Sequence, residues 1–118
     1  MKKIKHIILL LLLMMISSSS NAQSPCGDDL CVVQFNAGFN EANKVTWVSK
    51  LNDCSTKFID IQKDTKAAGK YKVVVVPTIL IFQDGEEVER YQADISFKMS
   101  ATREEIQDKI DELIMSAF

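Results

Sequence analysis

The order of charge and hydropathy over residues 1–22 sets how much of this chain is left to fold. Lys2, Lys3 and Lys5 precede an apolar run from Ile7 to Ile16, followed by Ser17 to Ser20, Asn21 and Ala22. A basic start, an apolar middle and small residues at Ser20 and Ala22 are the pattern of a cleavable secretory signal peptide. A run of about ten apolar residues falls well short of the ~20 that a membrane-crossing helix needs. Pro25 is a poor match to the small residue that lipidation of Cys26 would require before it. Cleavage after Ala22 is therefore expected, with export to the periplasm or secretion. Residues 23–118 remain, roughly 96, enough for one domain with one modest core.

Removal of Lys2, Lys3 and Lys5 takes the 14 basic residues to 11 against 16 acidic ones. A mature chain with that acidic excess is not expected to bind nucleic acid or an anionic membrane surface. His6, the single histidine, lies in the segment to be removed. Nucleophile systems that use an imidazole base and zinc sites with histidine ligands are thereby excluded. No metal and no cofactor is expected.

Along the remainder, Gln23 to Leu30 is a polar lead-in with Pro25, Gly27 and Asp28-Asp29 as turn formers. Cys31 to Phe35 reads as a buried strand, and Asn36 to Phe39 as a loop. Asn40 has the chemistry of a helix N-cap, with Glu41 suited to the positive end of that helix. Val45, Val48 and Leu51 give the short helix one apolar stripe. A second strand is expected over 57–61 and a short helix over 64–70. The apolar stretch Val73 to Val76 is interrupted by Pro77 and continues as Thr78 to Phe82. Asp84-Gly85 marks a hairpin, because both residues tolerate positive φ. Glu87 to Gln92 is the more polar partner strand. Thr102 and Glu105 begin the clearest helix, with Ile106, Ile110, Leu113 and Ile114 on one face. The expected order is β-α-β-α-β-β-α.

Val33-Gln34-Phe35-Asn36-Ala37, Tyr71, and the block from Val76-Pro77-Thr78 through Phe82 to Gly85-Glu86 together resemble the thioredoxin-like family over nearly all of residues 23–118. The resemblance implies an α/β fold with a central mixed sheet flanked by helices. It lacks the extra N-terminal strand and helix of longer members. It also implies a cis bond before Pro77, and a Cys-x-x-Cys motif at the helix start after the first strand. Asn40 and Asn43 stand at those two positions, with Glu41 and Ala42 between them, and neither asparagine can form a thiolate. Gln34 replaces the usual buried carboxylate, Asn36 and Phe39 the common tryptophans, and Ala93 a customary glycine.

Three cysteines remain after export, Cys26, Cys31 and Cys54. Outside the cytoplasm one disulfide and one left-over thiol is the expectation. The resemblance puts Cys31 and Cys54 at the same edge of the sheet, opposite the family's catalytic edge, and so implies a structural link from Cys54 to Cys26 or Cys31. The turn-rich segment from Cys26 to Cys31 closing on itself is the other pairing. The functional expectation is an exported, redox-inactive, non-enzymatic thioredoxin-like protein, binding a peptide or an envelope protein. Its groove would be formed by Phe39, Asn40, Val76, Pro77 and Ala93. The alternative is a thiol-disulfide oxidoreductase using an atypical cysteine pair. Trp47 is expected to pack on the short helix, while Phe97 and Met99 are either core lids or an apolar contact surface.

Overall fold

The computed structural model describes residues 22–118. The signal-peptide reading falls almost wholly on residues outside that range. Four strands form one sheet: β1 (Cys31–Asn36), β2 (Ser55–Asp60), β3 (Thr78–Gln83) and β4 (Glu86–Gln92). Their spatial order is β2-β1-β3-β4, with β1 parallel to β2 and antiparallel to β3, and β3 antiparallel to β4. Two α-helices, α1 (Ala67–Lys70) and α2 (Arg103–Ser116), and two 3-10 segments, Gly38–Asn43 and Val48–Lys50, complete the described elements. This is the mixed sheet with flanking helices that the sequence predicts.

β1 and β3 are buried on both faces because successive side chains point to opposite sides and both sets are mainly apolar, with Gln34, Asn36 and Thr78 the buried polar members. Cys31, Val33 and Phe35 join Leu80 and Phe82 on one face, where Ala67, Tyr71, Val73 and Val76 cover them. Val32, Ile79 and Ile81 lie on the other, under Val45, Val48, Leu51, Ile106 and Ile110. Trp47 packs against this second cluster, as expected. Thr102 Oγ1 accepts from the amide of Glu105 at 3.1 Å and so caps α2. Asp84 and Gly85 both take positive φ, 54° and 85°, and close the β3–β4 hairpin.

Three local expectations are corrected. The helix after β1 is not a continuous α-helix but the two 3-10 segments, and Asn40 is not its N-cap. Ala37 precedes the first segment, and Asn40 lies inside it with non-helical φ −111° and ψ 22°. Its side chain bonds to distant loops instead of the first-turn amides, and Gly38, Asn43, Val45 and Thr46 add little helix propensity. The apolar stretch that begins at Val73 enters the sheet only from Thr78, after the cis Val76–Pro77 bond. Finally, α1 covers only the C-terminal part of the expected helix over 64–70.

Candidate functional site

The chemistry-bearing residues collect at opposite ends of β1. At its start, the lead-in turns back on the sheet through Pro25–Asp28, where Gly27 adopts φ 65°. The Ser24 amide donates to the carbonyl of Gly85 at 3.1 Å, and the Tyr71 hydroxyl to the carbonyl of Gln23 at 3.1 Å. These ties bring Cys26 onto Cys31, and the two form a disulfide with a Cα–Cα distance of 6.4 Å. Cys31 is wholly buried at the head of β1, whereas Cys26 is half-buried on the turn. Ser24 Oγ accepts from the Cys26 amide at 3.0 Å and lies 3.6 Å from Cys31 Sγ. Lys57 Nζ donates to the Pro25 carbonyl at 3.3 Å, placing a cation one residue from Cys26.

The expected link through Cys54 is corrected: Cys54 is a free thiol. It precedes β2 at the same edge as Cys31, but it packs with the Val32 cluster, whereas Cys31 and Cys26 pack with the Val33 cluster. The sheet separates them, since alternate side chains cannot meet through it. Burial, with a smaller contribution from the Asp53 carboxylate, pushes the Cys54 thiol up from its ordinary value.

The Cys26–Cys31 bond also corrects the expectation of a redox-inactive chain and the leaning away from an enzyme. That reading gave most weight to Asn40 and Asn43 at the helix start after β1; the alternative, an atypical cysteine pair, is the one the Cys26–Cys31 bond favours. The described fold carries an oxidised cysteine pair at the other end of that strand. The sequence signal for this pairing is the Pro25-Cys26-Gly27 turn. It reverses the chain within five residues and makes the local pairing possible.

At the far end of β1 the structure gathers Asn36, Asn40, Asn43, Val76, Pro77 and Phe97. The buried Asn40 amide Nδ2 reaches Asn36 Oδ1 at 3.2 Å, the Val76 carbonyl at 3.3 Å and the Phe97 carbonyl at 3.2 Å. Asn43 Nδ2 donates to Asn40 Oδ1 at 2.8 Å, and Asn36 Nδ2 to the Asn40 carbonyl at 3.2 Å. The Val76 carbonyl is thus held by Asn40. The Ala93 amide donates to the Pro77 carbonyl at 3.0 Å and anchors the loop that follows. Phe39 and Phe97 stack edge to face at 5.8 Å above this network, 67% and 43% exposed.

The buried Gln34 exchanges two 2.8 Å bonds with the backbone of Val45, which satisfies its amide where a carboxylate was looked for. Asp94 organises the loop beneath Phe97. Its carboxylate accepts from the Ser96 hydroxyl, the Ser96 amide and the Lys98 amide, and the Ser96 bonds above all hold it below the usual carboxylate range. Among the described residues no cluster of metal-ligating side chains occurs, and no helix is long and apolar enough to cross a membrane.

No family model matches this chain. Over 51 residues it is 37% identical to the thioredoxin of Bacillus subtilis (strain 168), a match covering 43% of this chain and 46% of that protein. The chain therefore aligns with less than half the length of this curated relative. Among solved structures, the thioredoxin of Fasciola hepatica superposes with a TM-score of 0.54 at 27% identity, over 73% of this chain and 82% of that one. A thioredoxin of Nicotiana alata gives 0.51 at 26% identity, over 72% and 73%. A mutant thioredoxin of Halobacterium salinarum gives 0.56 at 24% identity, over 74% and 75%, a likeness of fold alone. The fold is thioredoxin-like.

Proposed function

We propose that this thioredoxin-fold chain is an exported thiol-disulfide oxidoreductase that works through the Cys26–Cys31 pair. The observation that carries the reading is the unequal burial of the two bonded sulfurs: Cys26 is reachable from solvent and Cys31 is not. A thiolate of a dithiol substrate attacks Cys26 Sγ, forming a mixed disulfide as the Cys26–Cys31 bond breaks. Cys31 departs as a thiolate beside the Ser24 hydroxyl and takes up a proton. The second substrate thiol, once deprotonated, attacks the mixed disulfide, releasing an oxidised substrate and the reduced pair. Two electrons pass from substrate to protein, and the same steps run backward reduce a substrate disulfide. Lys57 Nζ, bonded to the Pro25 carbonyl, holds the turn that presents Cys26 to the substrate. Export accords with the order of residues 1–22 and with a disulfide that persists in an oxidising compartment.

The test is oxidation of a peptide dithiol by the purified protein, followed by mass spectrometry. Substrate disulfide should appear in step with reduced Cys26 and Cys31, and Cys26→Ser should abolish it. Unchanged turnover in Cys26→Ser would reject the pair. A separate peptide-binding role for Phe39, Asn40, Val76, Pro77 and Ala93 is favoured by the exposed Phe39–Phe97 pair. Amide-shift mapping with extended peptides tests it: shifts at these five residues support it, and their absence rejects it.

A further inference from the structure

β2 is the edge of the sheet in the order β2-β1-β3-β4, and among the described residues no strand pairs with its outer side. Ser55, Thr56, Lys57 and Phe58 are all exposed, and Phe58 remains 42% accessible. The Ser55 amide bonds the Leu30 carbonyl at 3.0 Å and the Ile61 amide the Asn36 carbonyl at 2.9 Å, so the odd-numbered residues face β1. In a parallel ladder the alternate residues then turn their amides and carbonyls the other way. Among the described residues, Thr56 and Phe58 thus present outward donors and acceptors and Asp60 an outward amide, the Asp60 carbonyl accepting from the Lys63 and Asp64 amides at 3.1 and 2.8 Å; no proline or bulge blunts the row.

We propose that this edge pairs with the β2 edge of a second copy of the chain, antiparallel about a two-fold axis at Phe58. The register follows from the outward groups. Phe58 meets Phe58 of the second copy as a pair exchanging two backbone bonds, and Thr56 meets Asp60 of the second copy, whose amide donates to the Thr56 carbonyl while its own carbonyl stays with Lys63 and Asp64. Charge selects the antiparallel, self-paired arrangement. Lys44 Nζ sits 4.2 Å above the Phe58 ring, on the face that Thr56, Phe58 and Asp60 share. The two-fold brings Asp60 of the second copy to the Thr56 side of that ammonium, once in each direction. A hollow of about 550 Å³ opens on the same face, lined by Gln34, Val45, Val48, Thr56 and Phe58, with room beside Phe58 for the ring of its counterpart. Because both copies use the same patch, the pairing closes at a dimer instead of extending as a fibre.

Sedimentation velocity on the purified chain tests this, since a self-paired edge makes mass concentration-dependent. A monomer–dimer equilibrium is expected, shifting to monomer in Phe58→Pro. That change removes an amide that bonds nothing in β1, so far-UV dichroism should keep its strand signal. Asp60→Lys should raise the dimer Kd about tenfold, and adding Lys44→Asp should bring it back to within about threefold, a recovery that misfolding could not produce. A monomer at every concentration, or a dimer indifferent to Phe58→Pro and to the charge exchange, overturns the proposal; a monomer whose β2 edge is protected from amide exchange assigns that edge to another segment of the chain. The Cys26→Ser chain should dimerise equally, which separates this outcome from the fate of the proposed redox role.

Discussion

At the start of β1 a covalent bond, Cys26–Cys31, ties the lead-in to the head of the strand; at its end, residues 36, 76 and 97 meet on the one amide of Asn40. The first closure responds to electrons and is indifferent to acid. The second is built from neutral side chains and carbonyls, with Asp94 as the ionisable group in the adjoining loop, and is indifferent to reductant. In this thioredoxin-like fold, therefore, the Cys26–Cys31 disulfide and the loops around the cis Val76–Pro77 bond occupy separate places. Either end can be disturbed without the other.

The largest expected effect comes from cutting the covalent end. Cys31→Ser should abolish disulfide exchange and cost about 3 kcal/mol by urea unfolding, from the lost cross-link of a short loop and a hydroxyl placed in the core. The Asn40 network should stay intact by amide chemical shifts. Asn40→Ala should then cost about 2 kcal/mol, because the Asn36 Oδ1, Val76 and Phe97 acceptors lose their shared donor while buried. Exchange at Cys26–Cys31 should be unchanged in that variant. A fall in exchange with Asn40→Ala would break the separation of the two ends.

Smaller effects come from titration. Cys54, raised by burial, should alkylate several-fold more slowly at neutral pH in the folded chain than after unfolding, since less of it is thiolate. The half-buried Tyr91 is pushed up to about 12, by burial first and then by Glu89, Glu105 and Glu112. A group raised on folding favours the folded state below its unfolded value and loses that contribution as pH rises through its folded value. Stability should therefore decline from the ordinary tyrosine range toward about 12, and Tyr91→Phe should lessen the decline in alkaline thermal melts. The smallest effect is at Asp94, whose lowered value has the opposite sign: its contribution is complete above the ordinary carboxylate range and is lost as pH falls through the folded value. Acid should loosen residues 94–98 and shift Phe39 and Phe97 resonances, without change at Cys26, and Asp94→Asn should remove that pH dependence.

The strands were legible because their apolar runs are strong: Cys31 to Phe35 and Thr78 to Phe82 are apolar but for Gln34 and Thr78, and Asp84-Gly85 marks its own turn. The fold class followed from their order, and α2 from its stripe and the Thr102 cap. The segment after β1 was misread because its apolar stripe at Val45, Val48 and Leu51 does not distinguish an α-helix from 3-10 turns that bury the same residues. Asn40 looked like a cap because its three carbonyl and amide partners come from residues 36, 76 and 97, a convergence that only the folded chain creates. The disulfide was open to several pairings in the sequence. Facing across the sheet decides it, by setting Cys54 on one side and Cys31 on the other.

The most direct test of the account is a glutathione redox titration of the folded protein, with each cysteine's state read by mass spectrometry after acid quench. One two-electron transition is expected, in which Cys26 and Cys31 convert together, Cys54 stays a free thiol throughout, and a dithiol peptide added to the oxidised form is turned to its disulfide as the pair is reduced. A pair that stays oxidised until the protein unfolds and transfers nothing to the peptide would contradict it.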